Sequence, residues 1–463
     1  MRKLIMLAAV LGLAHAAQAE SEISTKAEYR VRGAISQGTD FQDDSTENGV
    51  KHRFKLLTEY KANDKVSAQL TLVHNASWGT SDVFAGAGGL STDRSDLNPN
   101  NGTNNNLSND TGIIVNEAYA TWRLSDEFTL KIGRGSFEGG IGTSIAVNDF
   151  QDVMTAFDGF AGIYETDFAR ITGYMIKFAD FNFGAANGSV SGSSSPRTDA
   201  EANTVGVNAD FKFAPELFQF FNVGLNQVRR DQYNIAGSPL LTRPKESYLK
   251  YSISAGILVA EMFNFRAAYS GTSGERSTDD GTVDGDITSS MIDVEAGIQM
   301  EDTMNLKFSV GYHMDSGTSN PDPAGDDETY QSYYYDIHRY AGLMDVVQWG
   351  NLSYISVKAS MEPMEDLTLG IQYHMFTATE EDDGTFLVGR TTGSVGAGAS
   401  DEIGNEIDLY ATHSYDNGLS LTARYGLFMA GDRMDAFAAA ESGGAIDSAE
   451  DYQTFFLQGT FSF

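Results

Sequence analysis

The chain contains no cysteine, so disulfides, thiol catalysis and cysteine metal sites are excluded. Proline is scarce, with 8 residues against 48 Gly, 28 Phe and 21 Tyr, and no Pro-rich linker divides the sequence. Beyond the first residues there is no run of 18 apolar side chains, so no membrane-spanning helix is expected. There is no G-x-S-x-G elbow and no H-E-x-x-H pair. His52, His74, His313, His338, His374 and His413 are scattered without metal-ligand spacing. Phosphate loops and basic nucleic-acid patches are also missing. These absences point away from an enzyme and from a resident cofactor or metal. A triad assembled in space from separate strands would leave no such motif.

What is present begins with an address. Arg2 and Lys3 precede the apolar run Leu4 to Ala14, and Ala17-Gln18-Ala19 forms an A-x-A cleavage pattern. Residues 1–19 are therefore expected to be a cleaved signal peptide, and 20–463 a single domain. A large exported chain without disulfides needs another framework. A closed barrel is the structure besides the helix that can span a bilayer, because every backbone group then finds a partner.

The strand signal is a period of two. Ala27, Tyr29, Val31, Gly33 and Ile35 alternate with Lys26, Glu28, Arg30 and Arg32. The same pattern returns in 304–312, 367–375 and 419–427, each with one apolar face. Eight short connections, at 61–65, 124–128, 164–168, 213–217, 259–263, 300–304, 361–366 and 415–419, carry Asn, Asp, Glu or Pro. Nine long polar ones lie near 37–49, 79–112, 135–156, 179–201, 230–246, 272–286, 314–345, 377–400 and 430–450. The two classes alternate strictly. The reading is an all-β transmembrane antiparallel β-barrel of the cell outer membrane, with short periplasmic turns and long extracellular loops. It has about 18 strands, or 16 if boundaries err by a few residues. The terminal Phe463 looks like the signal read by barrel-assembly machinery. The competing architecture is a secreted β-sandwich or propeller.

Three segments carry a family resemblance. NEAYATWRL at 116–124, LKIGRGSF at 130–137 and AFDGFAGIY at 156–164 form the first. The second is 333–376, and the third, GNEIDLYATHSYDNGLSLTARYGLFMAGD, is 404–432. Together they resemble the alginate-export porin family, with Gly135 where that family has Gln and Ala430 where it has Pro. The resemblance implies an 18-stranded porin. It also implies that Arg134, in IGRG, lines the pore. Strand parity beside Gly133 is ambiguous, and a strand-end Arg134 paired with an acidic loop residue stays open.

The formal net charge is −33, yet the sign changes when charges are sorted by face. Opposite the apolar faces lie Lys26, Arg30, Arg32, Lys51, Arg53, Lys55, Arg123, Lys131, Arg170, Lys212, Lys250, Arg266, Lys307, Lys358 and Arg424. They outnumber Glu28, Glu59, Glu117, Asp210, Asp293, Glu295, Glu406 and Asp408. The acidic excess falls in external loops, as in Asp43-Asp44, Asp279-Asp280 and Asp326-Asp327-Glu328. Basic linings favour anions. The pore-lining candidates are Arg30, Arg32, Arg53, Lys55, Arg123, Lys131, Arg134, Lys307, Lys358 and Arg424, with Arg30, Arg32, Arg53 and Lys55 the densest cluster. Internal pairing with Glu28 and Glu59, without selectivity, is the alternative for that cluster.

The loops at 135–156 and 314–345 are the candidates to fold inward. Ile141, Ile145 and Val147 give the first an apolar face, and Tyr330, Tyr333, Tyr334 and Tyr335 suit either sugar stacking or an outer aromatic girdle. Asp279-Asp280-Gly281 and Asp284-Gly285-Asp286 offer oxygen ligands for calcium or for divalent bridging to lipopolysaccharide, but simple solvation is the plainer reading. The stretch 98–110 is low in complexity. The expected function is passive diffusion of small hydrophilic solutes, including anionic sugars. A structural or surface-interaction barrel with a plugged lumen is the alternative. Partners are outer-membrane lipid and lipopolysaccharide, with no nucleic acid.

Overall fold

The computed structural model describes residues 21–38, 41, 46–78, 113–138, 142–143, 145–150, 154–181, 200–214, 216–234, 242–278, 281–319, 324–330, 335–383, 385–388, 391–395, 399–441 and 448–463. The expected signal peptide, the stretch 98–110, Ile141, Asp43-Asp44, Asp279-Asp280, Tyr333 and Tyr334 lie outside them.

The chain runs as β1 (Glu22–Gln37), β2 (Thr46–Asn63), β3 (Val66–Ser77), β4 (Ile114–Arg123), β5 (Phe128–Gly135) and β6 (Phe157–Glu165). Next come β7 (Ala169–Phe181), β8 (Ala200–Phe211) and β9 (Phe218–Arg230). A small hairpin of β10 (Tyr233–Asn234) and β11 (Thr242–Arg243) leads to β12 (Lys245–Val259), β13 (Phe263–Ser277) and β14 (Asp284–Met300). Then follow β15 (Leu306–Asp315), β16 (Ser353–Met364) and β17 (Leu367–Thr377). A second hairpin of β18 (Thr385–Val388) and β19 (Thr391–Ser394) precedes β20 (Glu402–Ser414), β21 (Leu419–Ala430) and β22 (Tyr452–Ser462).

Leaving out the two hairpins, each strand pairs antiparallel with the next, and β22 pairs back onto β1. The result is a closed 18-stranded sheet, so the fuller of the two expected counts holds. Closure is completed by reciprocal hydrogen bonds between Ala27 and Phe463, at 2.7 and 3.0 Å. All eight short connections are the turns at one end, and all nine long ones are loops at the other.

The turns are built by their residues. Asn63 Oδ1 accepts the N–H groups of Lys65 and Val66, at 2.9 and 3.0 Å, which closes the β2–β3 turn. Ala260, Glu261, Met304, Asn305 and Asp366 take positive φ at such turns. The outward face is an apolar band in which Ile132, Phe160, Val205, Ile253, Val310, Ile371 and Leu457 are all exposed. A water-soluble surface does not carry such a continuous patch, and lipid is the solvent that suits it. Rings of Phe168, Phe211, Phe213, Phe218 and Phe221 cluster at the turn end of β7–β9, where an aromatic girdle is placed. No helix among the described residues is long and apolar enough to cross a membrane.

Candidate functional site: an inward-folded constriction

Both loops expected to turn inward do so. The described residues of 136–156, between β5 and β6, enter the barrel, where Ile145 packs on Phe157, Tyr174 and Ile176 of the wall. The loop tip then reaches the strands that close the barrel. Asp149 O accepts from Arg30 at 3.0 Å and from Arg53 at 2.8 Å. Phe150 O accepts from Arg32 at 3.0 Å. Arg53 also pairs with Glu28 at 2.6 Å and with the Asp149 carboxylate at 3.1 Å. Lys55 lies 3.1 Å from both carboxylates.

The second loop, 316–352, meets the first at this tip. The His338 ring stacks on Phe150 with centroids 3.4 Å apart and planes 4° apart. The Asp336 N–H donates to Gly142 O at 2.9 Å, and burial pushes the Asp336 carboxyl above its ordinary range. Arg424, from β21, donates to His338 Nε2 at 2.7 Å, while His338 Nδ1 faces Asp345 at 2.9 Å. Because a guanidinium can only donate, Nε2 is the accepting nitrogen of this ring. The Arg32 guanidinium sits 4.0 Å from the Phe150 ring centre, and Arg424 sits 5.5 Å from it. Five cations thus converge on a two-residue loop tip, against the hydrogen-bonded carboxylates of Glu28, Asp149 and Asp345.

The rest of loop 316–352 is held by the opposite wall. The Leu343 and Met344 N–H groups donate to Glu406 at 2.8 and 3.0 Å, and Leu343 N–H also reaches Asp408 at 3.2 Å. Gly342 has φ +90°, and a Cβ there would strike Glu406, so only glycine lets the backbone come this close. Asp315 accepts the N–H groups of Gly350 at 3.1 Å and Leu352 at 2.7 Å. Both nitrogens of His313 face carboxylates, Asp293 at 3.3 Å and Asp315 at 3.2 Å, and its ring lies between Trp349 and Tyr354. Loop residues Tyr330, Tyr335, Val347, Trp349 and Met434 join wall residues Met291, Tyr354, Phe376 and Phe428 in one buried apolar core.

The remaining candidates are spread along the wall. Lys131 donates to Ser136 O at 3.1 Å and lies 3.9 Å from the Tyr119 ring centre. Lys358 is 3.6 Å from Glu295, whose neighbour Arg266 pairs with Asp293 at 3.0 Å. Arg123 and Lys307 are exposed on the inward face near the turn end. Arg134 must be corrected. It shares the outward face with Leu130 and exposed Ile132, and it pairs with Asp158 at 3.1 Å. Gly133, at φ +126°, keeps the strand parity intact, so Arg134 does not face the lumen.

The tyrosines also differ from both expectations. Tyr330 and Tyr335 are 1% and 6% exposed, and the Tyr335 hydroxyl accepts the Trp349 N–H at 2.6 Å. They are core residues of the loop, neither a sugar platform nor a girdle. Sequence reasoning missed Asp149, Phe150, His338 and Asp345, which lie in connections without periodicity. No group of His, Asp and Glu suited to a metal ion occurs among the described residues.

Residues 245–445 match the alginate-export family model. The match covers the second and third of the resembling segments and bears the resemblance out there. None of the curated proteins matches the sequence. Among solved structures, the fold is similar to Pseudomonas aeruginosa OccK9 (OpdG), at 13% identity and TM-score 0.59, over 96% of this chain and 98% of that one. P. aeruginosa OccK2 (OpdF), crystallised in complex with glucuronate, has 10% identity and TM-score 0.58, over 96% and 98%. P. aeruginosa OpdK with vanillate has 12% identity and TM-score 0.57, over 95% and 98%. At these identities the likeness is one of fold. A closed barrel with a lipid-suited outer band and these relatives in shape is an outer-membrane barrel.

Proposed function

We propose that the chain is an outer-membrane channel for passive diffusion of small hydrophilic solutes, and that it favours anions. The observation that carries this reading is the meeting of Arg30, Arg32, Arg53, Lys55 and Arg424 at Asp149 and Phe150, where an inward loop narrows the lumen. Five cations against the carboxylates of Glu28, Asp149 and Asp345 give this constriction a positive excess, and such a lining concentrates anions. Arg123, Lys131, Lys307 and Lys358 extend the same sign along the inward face toward the turn end. The acidic external loops do not cancel it, because their field is screened within about 8 Å at physiological salt. Two solved neighbours in fold were crystallised with glucuronate and with vanillate, and both of these are carboxylates. Small anionic sugars or aromatic acids are therefore the solutes to screen first.

Single-channel recording of the refolded protein in a planar bilayer, under a potassium chloride gradient, tests the reading. Steady conductance with a reversal potential of anion sign is expected; cation preference would overturn it. A second reading, a plugged barrel whose loops bind partners, is favoured by the apolar core that Tyr330, Tyr335, Val347, Trp349, Met434 and Phe437 build inside one wall. A silent bilayer with correctly folded protein would select it.

A further inference from the structure

The lumen takes most of the cations borne by the barrel strands, but not all. Strand parity fixes which way each side chain points. Among the described residues of the barrel strands, the outward-facing basic ones are Arg134, Lys177, Arg229 and Lys245. All four lie at the loop ends of β5, β7, β9 and β12, on one side of the barrel. The register joins three of them into a row. Arg134 stands beside Asp158, Asp158 beside Lys177, Lys177 beside Asn203, Asn203 beside Arg229, and Arg229 beside Ser247. Strands are about 4.8 Å apart, so a cation recurs about every 10 Å along this row. Lys245 sits one outward step above Ser247 and is exposed, as is Arg229.

The next outward row toward the turns changes character at once. It runs Ile132, Phe160, Met175, Val205, Gln227 and Leu249; all but Gln227 are apolar, and those five are 54%, 50%, 44%, 54% and 37% exposed. The boundary between hydrocarbon and headgroups therefore runs between the two rows, on the outer leaflet side. Around the barrel the sign reverses, for Ser247 pairs with outward Glu275, and Glu275 with outward Asp286. Among the described residues of the barrel strands, the β5–β12 face alone offers guanidinium and ammonium groups at the depth where phosphates of the outer leaflet lie. Lys and Arg at this level attract anionic headgroups, and Arg holds a phosphate through paired N–H donors.

We propose that this face docks a phosphorylated glycolipid of the outer leaflet, with a phosphate held between Lys177 and Arg229 and acyl chains lying on the apolar row beneath. The pairing of Arg134 with Asp158 frames one edge of that seat, and the acidic β13–β14 face bounds the other.

The test uses the folded barrel in neutral-detergent micelles, titrated with diphosphoryl lipid A, with the melting temperature as readout. Lipid A is expected to raise the melting temperature, and its dephosphorylated form is not. The variant Lys177→Gln/Arg229→Gln is expected to need about tenfold more lipid A for the same rise. Lys307→Gln, altered on the inward face, is expected to titrate like the unaltered protein. Arg229→Gln alone, expected to fall between, covers the case of a poorly folding double variant. Equal stabilisation by dephosphorylated lipid would overturn the proposal, and so would a double variant that titrates unchanged.

Discussion

The two halves of the lumen are built on opposite rules. Along β1–β5 the inward side chains are mostly polar, with Val73 a buried exception, and Arg30, Arg32, Arg53 and Lys55 hold the inward loop by its main-chain carbonyls and one carboxylate. Along β14–β21 the loop-end half gains buried apolar side chains beside the carboxylates of Asp315 and Glu406. Met291, Tyr354, Phe376 and Phe428 there meet Tyr335, Val347 and Trp349 of the second loop. One wall grips its loop by charge and leaves polar surface facing the passage. The other grips by burial and fills its side of the barrel. A transmembrane barrel can thus hold a water-excluding core on its inside as well as an apolar band on its outside.

The comparison breaks most readily at Trp349. It is 1% exposed and stacks on Tyr335 at 4.1 Å. Trp349→Ala should cost about 3–5 kcal/mol of core stability, release loop 316–352 and raise single-channel conductance. Unchanged conductance together with unchanged protease resistance of that loop would show that burial is not what holds it. Glu406→Ala comes next. It strips the half-buried Met344 N–H of its acceptor, at about 1–3 kcal/mol, and leaves the Leu343 N–H with Asp408 alone. Frequent switching between conductance levels is the expected trace, and a quiet open level would count against the anchor.

On the charged wall the effects are smaller. Arg32→Gln removes a guanidinium from over Phe150, a contact of about 1–2 kcal/mol when desolvated. Anion preference should fall while unfolding shifts little; an unaltered reversal potential would remove Arg32 from the selective lining. Asp336, where the loops touch, binds its proton more tightly folded than unfolded, because burial raises its pKa. The contact between loops should therefore tighten as pH falls through that raised value and loosen as pH rises above it. Loop noise that stays the same as pH is varied would show that the contact does not depend on this carboxyl. Arg134→Ala should change least, under about 1 kcal/mol for an exposed pair, with the reversal potential unmoved. A shifted potential would return Arg134 to the lumen.

How much of this was legible follows the same division. The strands, turns and loop alternation could be read because a period of two and short Asx-rich turns are local signals. Lys55 and Arg424 were placed on the inward face by parity alone. For Arg134 the alternative left open beside Gly133, a strand-end residue paired with an acidic one, is the reading the structure supports, and Leu130 and Ile132 already pointed the outward way. The inner core left a trace that went unread. In LTLGIQYHMFT the inward residues run Thr368, Gly370, Gln372, His374 and Phe376, so polarity fades toward the loop end. Phe428, after Thr422, Arg424 and Gly426, repeats it. Asp149, Phe150 and His338 had no such trace, since their roles depend on contacts across 86 or more residues of chain.

The seam between β22 and β1 has a consequence for how the molecule comes into being. Ala27 and Phe463 exchange hydrogen bonds across nearly the whole length of the chain. Neighbouring hairpins form early, since their ends are close, but the last pairing must wait for every other strand. Until then two long edges stand open, each a template for pairing with another chain. The slowest and most hazardous moment in the life of this protein is therefore the ring's final closure, and anything that shortens the wait protects every strand at once.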